Sequence, residues 1–466
     1  MNKNVSIPAG GIVIISTIEK TFGLFSYLFD GIVPKSPDFI PAVKLHCYNR
    51  LAHTVSVNKI LETYPAETFE LLGFRKVPSK RSLYRTLERI GEHISIILYR
   101  LQCFLEEHNL IDEKQIIDFS SVVIHGKKME MAAFGYSRDH RPDKLQINFG
   151  IATGINGIPT AITIQKGNVQ DKKMMTHMIN VVSRVLPKNS ILIFDCGGNT
   201  HANKKQIRKL GYHYLTLMPK KVSIYKKYIH LFNAKLAEGK VRKFVLNERQ
   251  YWCLKYKKEK DKFLYIYFCK ELLKDQIRKK EKAFENAKER GDKILRRRRP
   301  ERIPCSKGWI ELEPHIQETI CELSNPYITG IEGYFILESS VDADPEKILK
   351  LYKERDRAEK FIRALKEGLE IRPVRHWEKS AVIGIIFICF LTNLIINLIH
   401  FLRKNEGASK VKNVKLLKKF LINLTLTIVY EENCVVRRIL SNVTEVIESF
   451  LGDFIYKICG KKFKFV

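Results

Sequence analysis

The sequence predicts an α/β protein with helical regions before and after its sheet-forming core. Three observations predict it. Apolar residues recur at helical spacing up to about Asn109, give way to period-two runs from Gln115, and return to helical spacing after Leu402. A strand-like run from Ser190 to Phe194, SILIF, ends directly on Asp195, with Gly197 and Gly198 just beyond. Two helical stretches, 351–366 and 380–402, follow the last strand-like segment. At 466 residues the chain exceeds one ordinary domain, so two or three are expected, each with room for a core.

From Met1 to 110 the pattern is helical: Ala42 to Tyr64 and Ser79 to Asn109 carry apolar residues at helical spacing with basic residues on the outer side. Such a region either binds DNA or is a plain bundle with a solvated basic face, because no recognition helix stands out. Three β-rich runs follow, Gln115 to Ile124, Leu145 to Ile151 and Ile158 to Ile164, separated by turn residues in the manner of an antiparallel meander. Asp171 opens a helix through Leu186 with Met174, Met175, Met178, Ile179, Val182 and Val185 on one side. The SILIF strand then delivers Asp195 at its carboxyl end, where open α/β sheets place their active sites. A strand-terminal Asp also caps turns, so catalysis and capping both remain open for Asp195.

Between 221 and 330 the stretch from Lys240 to Lys270 interleaves aromatic and β-branched residues with Lys and Arg, which suggests a hairpin. Its Trp252 either stacks on nucleobases or packs on the core. Lys270 to Arg302 reads as a charged helix with 14 basic and 7 acidic residues, ending in Arg296, Arg297, Arg298 and Arg299. That run is either a solvated face or a phosphate contact. Gly330 to Glu338 returns to strand, and 406–466 alternates basic residues with apolar helical spacing. Ser380 to Leu402 carries no charge and is long enough to cross a bilayer, but Asn393 and Asn397 at i,i+4, with Thr392 and His400 nearby, suit a core helix whose polar groups find partners.

Lys and Arg number 81 against 50 Asp and Glu, a net charge of +31 that calls for a polyanionic partner, nucleic acid first and an anionic membrane second. The ten cysteines are scattered singly, so reduced, cytoplasmic thiols are expected and neither a disulfide framework nor a zinc site has support. The N-terminal stretch lacks the pattern of a signal peptide, and export is not expected.

Leu351 to Lys366, LYKERDRAEKFIRALK, concentrates the chemistry. At 100° per residue, Tyr352, Arg355, Glu359 and Lys366 fall within about 60° of one another, apart from an apolar stripe of Leu351, Ala358, Phe361, Ile362, Leu365 and Leu369. An Arg355–Glu359 ion pair on a solvated face is the plain alternative. With Asp118 and Asp195, Glu359 makes a three-carboxylate set lacking Cys or His, which suits hard cations such as Mg²⁺ or Mn²⁺. Two such ions can serve an in-line displacement at phosphorus.

These residues resemble the DDE transposases of bacterial and archaeal insertion sequences, the superfamily (IS-four-like) with the signature Y-x-x-R-x-x-x-E-x-x-x-x-x-x-K, which Tyr352, Arg355, Glu359 and Lys366 match throughout. Gly135 to Gln146 (GYSRDHRPDKLQ), the turn Gly167-Asn168-Val169-Gln170-Asp171 and Arg372 to Trp377 (RPVRHW) resemble further motifs of the family. Cys196-Gly197-Gly198-Asn199-Thr200 departs from its commonest pattern. The resemblance implies an RNase H-like, mixed-sheet catalytic core in two parts, 111–220 and 331–405, around a β-rich basic insertion at 221–330, with a DNA-binding helical region expected at 1–110 and a helical region at 406–466. It also implies that Asp118, Asp195 and Glu359 hold two Mg²⁺ or Mn²⁺ ions while Tyr352, Arg355 and Lys366 hold the DNA backbone. The partners expected are double-stranded DNA, at terminal repeats and target, and a second copy in the synaptic complex, with no membrane and a cytoplasmic, nucleoid-associated location. An RNase H-like nuclease without strand transfer, or a DNA-binding relic without catalysis, are the alternatives.

Overall fold

The computed structural model describes residues 3–34, 36–125, 129–139, 141–259, 261–295, 301–305, 308–312, 325, 327–371, 376, 378–404, 413–432 and 434–458. In chain order its strands are β1 (Lys3–Pro8), β2 (Lys114–Val123), β3 (Gln146–Gly154), β4 (Pro159–Lys166), β5 (Ile191–Phe194), β6 (His213–Leu217), β7 (Arg242–Leu246), β8 (Arg249–Glu259), β9 (Lys262–Cys269), β10 (Glu301–Cys305), β11 (Gly308–Leu312), β12 (Tyr334–Ser339), β13 (Thr425–Glu431) and β14 (Cys434–Ser441). The chain divides into two compact units, one made of 1–190, 209–211 and 355–466, the other of 191–208 and 212–354.

In the first unit β2, β3 and β4 form the expected antiparallel meander, with Asp118 opposite Ile151 and Gly150 opposite Thr163. Their β-branched, apolar sequences bury nearly every position, which a sheet covered on both faces requires. The Asp171–Val182 helix packs its Met174, Met175 and Met178 against β3 and β4.

The other half of this unit is built around the Lys379–Leu402 helix, which packs on the Lys80–Glu92, Phe39–Leu51 and Gly10–Phe22 helices. Gly91 and Gly384 set the closeness of the approach to Lys80–Glu92: a methyl group at Gly91 would overlap the Ser380 carbonyl, and one at Gly384 the Leu87 carbonyl. Among the described residues this is the helix long and apolar enough to cross a membrane, and 89% of its most apolar window is buried inside the protein. Its polar groups have partners there: Thr392 Oγ1 donates to the Ile388 carbonyl (2.7 Å) and Asn397 Nδ2 to the Asn393 carbonyl (2.8 Å).

Two terminal expectations need correction. The C-terminal region is not all helical, because after the Val414–Asn423 helix the chain forms β13 and β14. Thr425–Glu431, TLTIVYE, alternates buried Leu426 and Ile428 with more open residues, and that period of two carries the strand. The N-terminal region likewise begins with a strand, β1, paired antiparallel to β13.

The second unit is a mixed sheet. β5 and β6 run parallel, and β6, β12, β9, β8 and β7 follow antiparallel. The expected hairpin at 240–270 is three strands, since the chain turns at Asn247-Glu248, both at positive φ, and again at Asp261. The Val222–Ala237 helix covers this sheet through Tyr225 and Phe232, which cluster with Leu264, Ile266 and Ile336. The charged Lys270–Leu295 helix follows β9, and β10 pairs with β11.

Candidate active site

Asp118 is the sole half-exposed residue between Gln115 and Val122 on a strand otherwise buried on both faces. Its Oδ1 accepts the Phe119 backbone N–H at 3.0 Å. A carboxylate tolerated in such a strand needs an outlet to water or a cation. The Asp356–Arg363 helix, which carries Glu359, packs directly on β2 and β3, so two of the three carboxylates sit on neighbouring elements of one unit.

Asp195 belongs to the second unit. It follows β5 immediately, and its Oδ1 caps Gly197 N at 2.9 Å. Thr216 Oγ1 donates to its carbonyl (3.0 Å), Asn199 Nδ2 bonds the Leu217 carbonyl and Asn203 Nδ2 the Gly198 carbonyl, so the 196–200 loop is firmly pinned. The capping role and the strand-end position therefore coexist in one residue.

The single signature helix anticipated from 351 to 366 is in fact three pieces, and its shared face is corrected accordingly. A helix from Pro345, N-capped by Asp344, ends at Lys353; a second runs Asp356–Arg363; and Ala364–Gly368 is a π turn. Tyr352 lies half-exposed on the first piece, in the second unit. Arg355 precedes the second piece and pairs its Nη2 with Glu359 Oε1, the i,i+4 ion pair. Lys366, on the π turn, is not in an outward row: its side chain is 9% exposed and its Nζ lies 2.8 Å from Oδ1 of Asp139, itself 8% exposed.

Asp139 was not singled out by residue type, although it stands inside GYSRDHRPDKLQ, and its neighbours form a network. Gln146 Nε2 donates to the Tyr136 and Gly167 carbonyls, both at 3.0 Å, and Asn148 Nδ2 to the Val169 carbonyl at 2.9 Å. Arg138 pairs with Asp171, and its backbone N–H bonds Ser121 Oγ on β2. Gly135 and Gly167 are in such close approach that a Cβ on Gly135 would overlap the Gly167 carbonyl. Two motif stretches about thirty residues apart are thus one structure.

Of the remaining anticipated residues, Trp252 is half-buried on β8 against Phe268, with Lys243 and Lys270 ammonium groups 5.6 and 5.4 Å from its ring, so it packs on its sheet. Arg296, Arg297, Arg298 and Arg299 lie outside the described residues, as do Arg372 to Arg375 and Trp377. His376 is described: burial pulls its imidazole down to about 4, so it is neutral at pH 7 beside Tyr84.

Residues 111–395 match the family described as transposase DDE domain. This chain belongs to that family. The transposase DDE domain thus spans all three carboxylates, the 135–146 and 167–171 motif stretches and the core helix up to Ile395. Among solved structures the chain is similar to piggyBac transposase, seen by cryo-EM in a synaptic complex with hairpin DNA, at 9% identity and a TM-score of 0.45, over 99% of this chain and 88% of that one. No curated protein matches it.

Transposases of this family generally use divalent metal ions. Among the described residues no group of three or more His, Cys, Asp or Glu side chains is gathered as a ready-made ion site. Asp118 and Asp195 each engage one oxygen with a backbone N–H, and Glu359 engages one with Arg355. The donor set itself, all carboxylate oxygen, is the chemistry that hard divalent cations take.

Proposed function

We propose that this transposase binds the terminal repeats of an insertion sequence, cuts DNA there and joins the freed 3′ ends to a target. The observation that carries the reading is Asp118, a half-exposed carboxylate in a buried strand, with the Glu359 helix packed on that strand. Asp195, at the end of β5, completes the set by its place in the family motif.

In the first step a water oxygen attacks phosphorus, the bond to the 3′ oxygen breaks, and that oxygen takes up a proton to leave as a 3′-hydroxyl. In the second that hydroxyl attacks a target phosphodiester, losing its proton as the target's own 3′ oxygen departs. Asp118, Asp195 and Glu359 would hold two Mg²⁺ or Mn²⁺ ions, which supply activation of the attacking oxygen and neutralisation of the charge developing on the leaving one. Glu359 is available for this once Arg355 turns from it to a DNA phosphate, an exchange of one charge-assisted bond for another. Tyr352 and Arg355 would steady the backbone beside the cut, Lys366 would join them once it leaves Asp139, and two protomers would work on two ends in the nucleoid. The net charge of +31 supports the polyanionic partner.

The test is cleavage and joining of a labelled duplex carrying the element's end, with Mg²⁺, Mn²⁺, Ca²⁺ or EDTA, for wild type and Glu359→Gln. Metal-dependent joined product from wild type, absent in the variant, is expected. Cut but never joined DNA would favour a nuclease, and binding without any cut product would leave a DNA-binding relic.

A further inference from the structure

Between the strand that carries Asp118 and β3, the chain leaves two large rings in water. Phe134 is 63% exposed and Tyr136 is 82% exposed, the latter the most open of the large apolar or aromatic side chains described. Isolated exposed apolar residues are ordinary, but two rings two positions apart on a backbone held in place are not. Exposure alternates along the segment: Phe134 and Tyr136 face out, while Gly135 and Ser137 face in. Inward, Gly135 rests on the Gly167 backbone and Ser137 Oγ accepts the Arg141 N–H at 3.1 Å. Both rings therefore face solvent while the residue after each packs inward.

The segment is fixed at both ends. Ala133 exchanges two backbone hydrogen bonds with Gln146, each at 3.1 Å, and Gln146 Nε2 holds the Tyr136 carbonyl. The rings are therefore presented by a rigid support, so little ordering is lost when a flat ligand lands on them. One cationic group stands beside them: the Arg138 guanidinium, paired with Asp171, lies 6.0 Å from the Tyr136 ring centroid, and Arg141 and Lys144, both paired with Asp143, follow in sequence. Three residues beyond Tyr136, Asp139 grips Lys366, which ties the ring-bearing segment to the π turn that ends the Glu359 helix.

We propose that Phe134 and Tyr136 form a stacking site for an unpaired nucleobase of the DNA strand being processed. Aromatic faces flanked by Arg and Lys are what binds single-stranded nucleic acid without reading its sequence. A fully paired duplex offers no free base face, so the site discriminates opened from closed DNA. The inference rests on the DNA-processing function proposed above and names a contact that function does not require.

The experiment measures affinities by fluorescence anisotropy for a single-stranded oligothymidylate and for a fully paired duplex of equal length, at one salt concentration. The proteins are full-length wild type, Phe134→Ala/Tyr136→Ala and Tyr136→Phe. The double alanine variant is expected to bind the single strand about tenfold or more weakly. Its duplex affinity should change less than about twofold, and Tyr136→Phe, which keeps the ring, should match wild type on both. Because both rings are in solvent, matching melting curves serve as the folding control. Equal single-strand affinity in the double variant and wild type overturns the stacking site while leaving the transposase reading intact, as does wild type binding the duplex alone. Wild type binding neither probe overturns both.

Discussion

Breaking the Lys366–Asp139 pair is the sharpest probe of how the signature lysine is held. Both side chains are more than nine-tenths buried and their charged atoms are 2.8 Å apart. Removing one partner leaves the other charge buried and uncompensated, at a cost of about 3–5 kcal/mol. For a unit of this size that corresponds to a fall in melting temperature of roughly 5–8 °C. Lys366→Met and Asp139→Leu should each show it, followed by circular dichroism of purified protein. The double variant replaces the pair by apolar groups of similar volume and should recover most of the loss, since dry hydrophobic packing matches or exceeds a buried ion pair. Strong non-additivity in this cycle is the signature of direct contact. If either single variant melts within about 1 °C of wild type, or if the two losses simply add, Lys366 is not held by Asp139 and stands in the open row that its helical spacing suggested.

Two further outcomes follow from the packing. Gly384→Ala should destabilise the first unit by about 3 kcal/mol or more, because the new methyl meets the Leu87 carbonyl on a fixed helix and cannot be relieved by a rotamer change; an unchanged thermal melt would show that the helices do not approach so closely. In the second unit, burial alone would raise the Glu332 carboxyl, but the Lys280 ammonium at 2.6 Å and donors from Thr329 overcome it and hold the group down at about 2. A depressed carboxylate contributes stability that is fully present above its unfolded value near 4.5 and is lost as pH falls through about 2, here about 3 kcal/mol. Glu332→Gln should therefore melt lower at pH 7 and show a flatter pH dependence from about 4.5 down to 2, and parallel curves for the two proteins would refute the assignment.

What could be read in advance and what could not divide along the range of the forces involved. The meander at 114–166 was legible because β-branched residues and turn signals act within a few positions, and Asp195 was legible because a strand ending on Asp with glycines beyond is a local pattern. The signature segment misled for the opposite reason. Nothing between Tyr352 and Asp356 is Gly or Pro, and Glu354 and Arg355 keep helical backbone angles, so periodicity runs straight through the two residues where the regular helix is interrupted. Beyond Arg363 the Leu369 N–H reaches the Ala364 carbonyl, the i→i−5 bond of a π turn, which rotates later residues off the helical wheel. Lys366 thereby enters the interior to meet an aspartate 227 positions away, and β13 finds β1 across more than 400. The 380–402 segment shows the same limit: its hydropathy fits lipid or protein equally, its Asn393, Asn397 and Thr392 favour protein, and the close approach of Gly384 to the Leu87 carbonyl on a second helix is seen only in the fold. A motif thus reports the residue types a reaction needs, while the partners that open or close them are set at long range. For this transposase the cycle on Lys366 and Asp139 separates the two, because the same lysine cannot be spent inside the fold and on a phosphate at once.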